Sequence, residues 1–98
     1  MQTVSVRSFR ANLTEYAERV KSGERFVIRR RGRAVALLRA VTPEEEVREI
    51  GLLEMRLRLG HTLRAAEHGT RWVVTCHGKA QLMLTPVPAE PGDGDEAA

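Results

Sequence analysis

The sequence predicts a mixed α/β (α+β) fold in which two β-α-β-β units lie in tandem and pack on each other as one intramolecular pseudo-dimer. Three observations predict it. First, the chain repeats itself: displaced by 46 positions, Val4–Glu44 falls on Ile50–Glu90 without a gap. Arg10 then meets Arg56, Leu13 meets Leu59, Gly23 meets Gly69, Arg25 meets Arg71, and Val27 meets Val73. Gly32 with Gly78, Ala34 with Ala80, Val41 with Val87 and Glu44 with Glu90 continue the match, while Phe26/Trp72, Ile28/Val74, Arg33/Lys79 and Leu37/Met83 keep their chemistry. Second, Leu13, Tyr16, Ala17 and Val20 recur at i, i+3, i+4 and i+7, the apolar stripe of a helix. Third, each copy ends in two short apolar runs around a glycine turn, the pattern of a β-hairpin. A unit of about 40 residues is too small to bury a useful core alone, so the two copies are expected to share one.

The elements follow in order. Val4 and Val6 alternate with Ser5 and Arg7, which predicts a short half-buried strand. Ser8 is the expected N-cap of the helix that follows. Ser22-Gly23 ends that helix, since glycine accepts the left-handed conformation past a helix C-terminus. Arg25–Arg30 is a strand with Phe26 and Ile28 on one face, Arg31-Gly32 is the turn, and Arg33–Arg39 is the returning strand. Thr42-Pro43-Glu44-Glu45 has the form of a helix start, with a capping threonine, proline at the first position and a glutamate completing a capping box. In the second copy a strand is expected near Ile50–Leu53, then a helix from about Glu54 to His68, with Gly51 as the interrupting residue. Arg71–Thr85 is the second hairpin, closed by Pro86 and Pro88. The expected organisation is therefore a first unit over residues 1–47, ending in the start of a linker helix. A second unit covers 48–88, and 89–98 is an acidic tail whose composition predicts disorder.

Charge points to a partner. The chain carries a formal +3, yet residues 89–98 hold four acids and no base, which leaves a body of +7. A body this basic attracts polyanions. No stretch of about 18 apolar residues is present, and the N-terminus lacks a signal-peptide pattern. The single cysteine, Cys76, cannot form an internal disulfide and fits a reducing compartment, so the expected location is the cytoplasm.

Residues 4–38, VSVRSFRANLTEYAERVKSGERFVIRRRGRAVALL, resemble the N-terminal domain of the Phd/YefM family of antitoxins. The features that carry the resemblance are Arg10-Ala11-Asn12-Leu13 after the first strand, the V-K-x-G-E step from Val20 to Glu24, and the R-x-G-R-x-V-A-L hairpin from Arg30 to Leu37. The second copy keeps the hairpin and the glycines, but Met55-Arg56-Leu57-Arg58-Leu59 replaces Phe9-Arg10-Ala11-Asn12-Leu13. The resemblance implies a domain that dimerises, binds operator DNA and represses its own toxin–antitoxin operon, with a flexible C-terminal segment neutralising the toxin. Two such units in one chain would supply both halves of a two-fold DNA-binding surface. Two departures follow. Only Pro86–Ala98 remains beyond the second hairpin, and it lacks apolar anchors beyond Val87. The halves also differ in charge: Arg29, Arg30, Arg31 and Arg33 correspond to Thr75, Cys76, His77 and Lys79. Equal halves read a palindrome, so unequal ones suit an asymmetric site or a scaffolding role for one half.

Arg10 and Asn12 match positions that the family places near DNA. A helix start bearing an arginine and an amide can hold a phosphate and reach a base edge. Arg7 and Ser8 are adjacent candidates for phosphate contact, Arg56 and Arg58 are the second-copy equivalents of Arg10 and Asn12, and Arg31 and Arg33 form a basic cluster at the hairpin turn. The arginines could instead be solvated surface charges, and Asn12 a local capping residue. Phe26 and Trp72 read as core residues rather than base-stacking ones. Cys76, His77, His61 and His68 lack a standard zinc spacing, so no metal or other cofactor is expected. Glu44-Glu45-Glu46 reads as a helix start, and no phosphate-binding glycine loop or nucleophile motif occurs, so an enzyme is not expected. The expected partner is double-stranded operator DNA, with a cognate toxin as a second partner and no membrane. The assembly is either the monomeric pseudo-dimer or a homodimer of it. The competing reading is a protein-binding module that neutralises a toxin through its folded surface, with little DNA binding.

Overall fold

The computed structural model describes residues 1–44 and 46–88. Strand β1 (Gln2–Ser5) leads into helices α1 (Val6–Ala11) and α2 (Leu13–Lys21), then the hairpin β2 (Phe26–Arg30) and β3 (Arg33–Arg39). After a linker the same order returns as β4 (Arg48–Gly51), α3 (Leu52–Leu57), α4 (Leu59–Glu67), β5 (Trp72–Cys76) and β6 (Lys79–Thr85). Each boundary in the second set lies 46 residues after its counterpart in the first. The strands form one six-stranded sheet in the order β1-β2-β3-β6-β5-β4. The outer strands β1 and β4 run parallel to β2 and β5, and all other neighbours are antiparallel. The hairpins meet at the centre through Leu37↔Thr85, Leu38↔Leu84 and Arg39↔Met83.

One face of the sheet carries the helices. Phe26, Ile28, Ala36 and Leu38 from the first hairpin and Trp72, Val74, Leu82 and Leu84 from the second join a single buried cluster. Phe9, Leu13, Ala17 and Val20 enter it from α1 and α2, and Met55, Leu59, Leu63 and Ala66 from α3 and α4. The helices cross over: α4 packs on β3 and α2 on β6. Each long helix therefore covers a strand contributed by the other set of elements, so that both sets share one core. The opposite face is also buried at its centre, where Val27, Leu37, Val73, Met83 and Thr85 are shielded. Burial on both faces explains why β2, β3, β5 and β6 read as nearly continuous apolar runs rather than as alternating ones. Phe26 and Trp72 are core residues, and the indole N–H of Trp72 donates to the buried Thr62 carbonyl at 3.0 Å. Among the described residues no helix is long and apolar enough to cross a membrane.

Turn chemistry follows the sequence. Arg31 and Gly32 have φ of 53° and 81°, and His77 and Gly78 have 53° and 79°. Two successive positive φ values are those of a type I′ turn, whose twist matches the flanking strands. Each hairpin also carries a bulge at the same place: Ile28 pairs Ala36 and Arg29 pairs Ala34, leaving Val35 extra, as Gln81 is between the pairs Val74↔Leu82 and Thr75↔Ala80. Gly23, past the end of α2, has φ of 104° as its C-terminal position requires.

Five expectations need correction. The N-cap is Ser5, not Ser8: Ser5 is extended, and its Oγ accepts from the Ser8 backbone N–H at 3.0 Å. Hence β1 ends at Ser5 and Val6 is helical. The expected single helix is broken at Asn12, whose φ of −133° leaves the helical region. The Asn12 backbone N–H and its Nδ2 both donate to the Ser8 carbonyl, at 3.1 and 3.0 Å, so the end of α1 is satisfied from within. Likewise the strand expected at Ile50–Leu53 runs instead from Arg48 to Gly51, and the helix expected from Glu54 to His68 is broken at Arg58, with φ of −118°. Finally, no helix starts at Thr42. Residues 41–44 and 46–47 are irregular, and Glu45, which was to complete the capping box, lies outside the described residues. The acidic tail 89–98 lies outside them as well.

The linker is held by charge instead of by helical hydrogen bonds. The Glu44 carboxylate accepts from Arg71 Nε at 2.7 Å, from Thr42 Oγ1 at 2.9 Å and from the Arg39 guanidinium. Arg39 lies at the end of β3 and Arg71 just before β5, so this one carboxylate ties the linker to both hairpins. Thr42 also lies 4.0 Å from the Met83 sulfur, over the second face of the sheet. The hydrogen bonds from Arg71 and then Arg39 lower the Glu44 pKa from its ordinary 4.5 to about 2. A depressed carboxylate pKa stabilises the fold above the unfolded-state value, and the contribution is lost as pH falls through the folded one. We expect urea midpoints of the protein to fall between pH 4.5 and about 2, and Glu44→Gln to remove part of that dependence while lowering the midpoint at neutral pH. Parallel pH profiles for the two proteins would eliminate this role for Glu44.

Candidate nucleic-acid interface

The helix breaks bring charged residues of the two sets of elements together. Arg10 lies in the last turn of α1 and Asn12 is the residue between α1 and α2. With Leu13 and Glu15 they line a groove of about 280 Å³ that Arg56, from the last turn of α3, also lines. Arg10 and Arg56 are thus equivalent by the 46-residue displacement and neighbours in space. Both are exposed, so their guanidinium donors remain available to a planar acceptor pair such as a phosphate or a guanine edge. The Asn12 side chain spends one N–H on the Ser8 carbonyl, so it holds the helix break as well as lining the groove.

The other candidates separate. Arg31 and Arg33, at the first hairpin tip, line a second groove of about 310 Å³ together with Arg30, Val35, Arg64 and Glu67. Arg33 is paired with Glu67 of α4. Arg58 does not join the groove of Arg10. It pairs with Glu54 at 3.7 Å and faces a pocket shared with Arg48, His61 and Trp72. Arg7 and Ser8 are exposed on α1 but line none of these grooves, and the Ser8 backbone is committed to the Ser5 cap and to Asn12. Arg30 and Arg64 were missed in the sequence. Arg30 was visible as part of the run Arg29-Arg30-Arg31, but Arg64 joins it only through the packing of α4 against the first hairpin, which no local pattern encodes.

A third groove has different chemistry. Leu13, Leu52, Leu53, Thr75, Cys76 and His77 are among the residues that line an opening of about 460 Å³ beside the start of α3. Leu53 is 68% exposed and Leu57, one turn later, 75%. Their counterparts on α1 are Arg7 and Ala11, so the outer surface of α3 is more apolar than that of α1.

The geometry at the start of α1 separates two serines that are alike in sequence. Removing an N-cap hydroxyl costs about 1 kcal/mol, whereas an exposed serine inside a helix contributes little. We expect Ser5→Ala to lower the unfolding free energy by about that amount and Ser8→Ala to leave it within about 0.5 kcal/mol, as read by urea denaturation. The reverse order would return the cap to Ser8. No model of a known protein family matches this chain, and neither a curated protein nor a solved structure matches it.

Proposed function

We propose that the chain is a non-enzymatic, antitoxin-like transcriptional regulator that binds operator DNA in the cytoplasm as a single-chain pseudo-dimer of two Phd/YefM-like units. The observation that carries this reading is the convergence of Arg10, Asn12 and Arg56 on one exposed groove. Two exposed arginines on one groove offer paired bidentate donors to phosphates or to adjacent base edges. The recurrence of five elements at a spacing of 46 and the mirror-like strand order β1-β2-β3-β6-β5-β4 support the pseudo-dimer, and the resemblance of residues 4–38 supports the toxin–antitoxin setting. In this mechanism exposed arginines displace counterions from the phosphates, which supplies affinity and makes it salt-dependent. Arg10 and Arg56 then reach base edges, where a bidentate arginine discriminates guanine.

The test is binding of the purified protein to the DNA upstream of its own gene, beside an unrelated duplex of equal length, at about 50 and 200 mM salt. Selective retardation that weakens with salt is the expected result. Arg10→Ala and Arg56→Ala should each weaken it by about 10-fold and reduce selectivity. Equal, weak retention of both duplexes, unchanged in the two variants, would remove the regulator reading.

One observation favours a second reading, in which the folded surface neutralises a toxin protein. The groove of Leu13, Leu52 and Leu53, with Leu57 exposed nearby, offers apolar surface of the kind that protein partners cover. Co-purification with the product of an adjacent gene, lost in Leu53→Asp and retained in Arg10→Ala, would establish it.

A further inference from the structure

We infer that Arg30, Arg31 and Arg64 form a phosphate clamp on one side of the molecule only, so that bound duplex is gripped by the first hairpin and α4 without an equal grip from the second hairpin and α2. The inference rests on the DNA-binding reading and adds to it which side of the protein carries the backbone contacts.

The clamp is built from both sets of elements. Gly60, Arg64 and Glu67 sit at i, i+4 and i+7 on α4, along one side of the helix. The first hairpin lies beside that stripe. Arg30 Nη2 is 3.6 Å from where a Cβ on Gly60 would stand, so its guanidinium rests on the first turn of α4. Arg64 follows one turn later, in the groove shared with Arg30, Arg31 and Arg33. Glu67 takes Arg33 as its partner and so ties the hairpin tip to the helix. Among the described residues no carboxylate lies within ion-pair distance of Arg30, Arg31 or Arg64. Guanidinium groups gathered around one groove raise the local positive potential, and an anion bound among them relieves it. The surface is open rather than enclosed, with the Arg33 side chain 71% exposed, which suits a phosphate of an extended polyanion.

The equivalent place on the other side lacks this chemistry. A displacement of 46 replaces Arg30, Arg31 and Arg33 by Cys76, His77 and Lys79, and replaces Gly60, Arg64 and Glu67 by Thr14, Glu18 and Lys21. Four arginines around one glutamate become two lysines with one glutamate, and Lys21 is paired with Glu18 at 3.5 Å. The reversal at Arg64 against Glu18 matters most, because it turns an attractive position for phosphate into a repulsive one.

The experiment measures the slope of log affinity against log salt for the upstream duplex and for the unrelated duplex. Each phosphate contact contributes about 0.9 to that slope. The double variant Arg30→Ala/Arg64→Ala should lower its magnitude by about 1 to 2 on both duplexes, because phosphate contacts carry no sequence information. Arg30→Lys/Arg64→Lys should keep most of the slope, which separates lost charge from lost folding. The counterpart Lys21→Ala/Lys79→Ala should change it by less than half as much as the arginine pair. An unchanged slope in the arginine-to-alanine protein, or equal losses from the two pairs, would overturn the clamp while leaving the regulator reading in place. Failure of the unaltered protein to bind either duplex would overturn both.

Discussion

The pairing of β3 with β6 is the contact on which the rest of the molecule depends. It joins the two hairpins through Leu38↔Leu84 and its two flanking pairs, and both leucines are fully buried. Once those strands are side by side, α2 and α4 can each lie across the partner hairpin, and the apolar stripes of both helices find a surface to cover. Without that pairing each set of elements would expose half of its core to water. A hairpin with a single short parallel strand and two short helices cannot bury enough apolar area to offset its conformational entropy. Cooperative unfolding of the whole sheet is the natural consequence.

A backbone whose elements recur at one spacing here carries unequal chemistry. The backbone repeats its strand ends, its bulges and its positive-φ turns at one constant spacing. Many side chains inside the core vary mildly, as with Phe26 and Trp72 or Leu37 and Met83, although Tyr16 is replaced by the buried Thr62 and the buried Val35 by Gln81. Outside it they diverge in kind: arginine becomes leucine at position 53, cysteine at 76 and histidine at 77. Core residues are restrained by packing on both sides, and surface residues only by what they meet in solution. Divergence concentrated on the surface is therefore compatible with two sets of elements that fold alike. The groove of Arg10 and Arg56 is lined by both sets of elements and adjoins the leucine-rich groove through Leu13, Thr14 and Arg56, while the arginine-rich groove lies between the first hairpin and α4.

Glu44 shows how a connection can be fixed without secondary structure. The chain must pass from β3, in the middle of the sheet, to β4 at its far edge. A carboxylate shared between Arg39 and Arg71 marks its course, while Thr42 is held by Arg39 Nη1 at 2.9 Å. The glutamate of that apparent helix start is thereby occupied with Arg71, 27 residues along the chain, as well as with Arg39. Tertiary ion pairing has displaced a local propensity worth only about 1 kcal/mol.

Much of this fold was legible in the sequence because its signals are local or periodic. The displacement of 46, the turns at Arg31-Gly32 and His77-Gly78, the strands Arg33–Arg39 and Lys79–Thr85 and the stripe Leu13, Ala17, Val20 all follow from residue type and spacing, since glycine, β-branched residues and helical periodicity constrain their own neighbourhoods. Tertiary structure decided the rest. The breaks at Asn12 and Arg58 divide each helical run into two helices, and Leu57 and Leu59, good helix formers on either side of Arg58, do not announce one. The course of the linker depends on Arg71, far along the chain from Glu44. For the candidate site, the sequence named Arg10, Asn12, Arg31, Arg33 and Arg56, but not that Arg10 would meet Arg56 or that Arg64 would join Arg31 and Arg33. Those meetings are set by how one set of elements packs on the other, and contacts across a shared core leave no mark on the spacing within either.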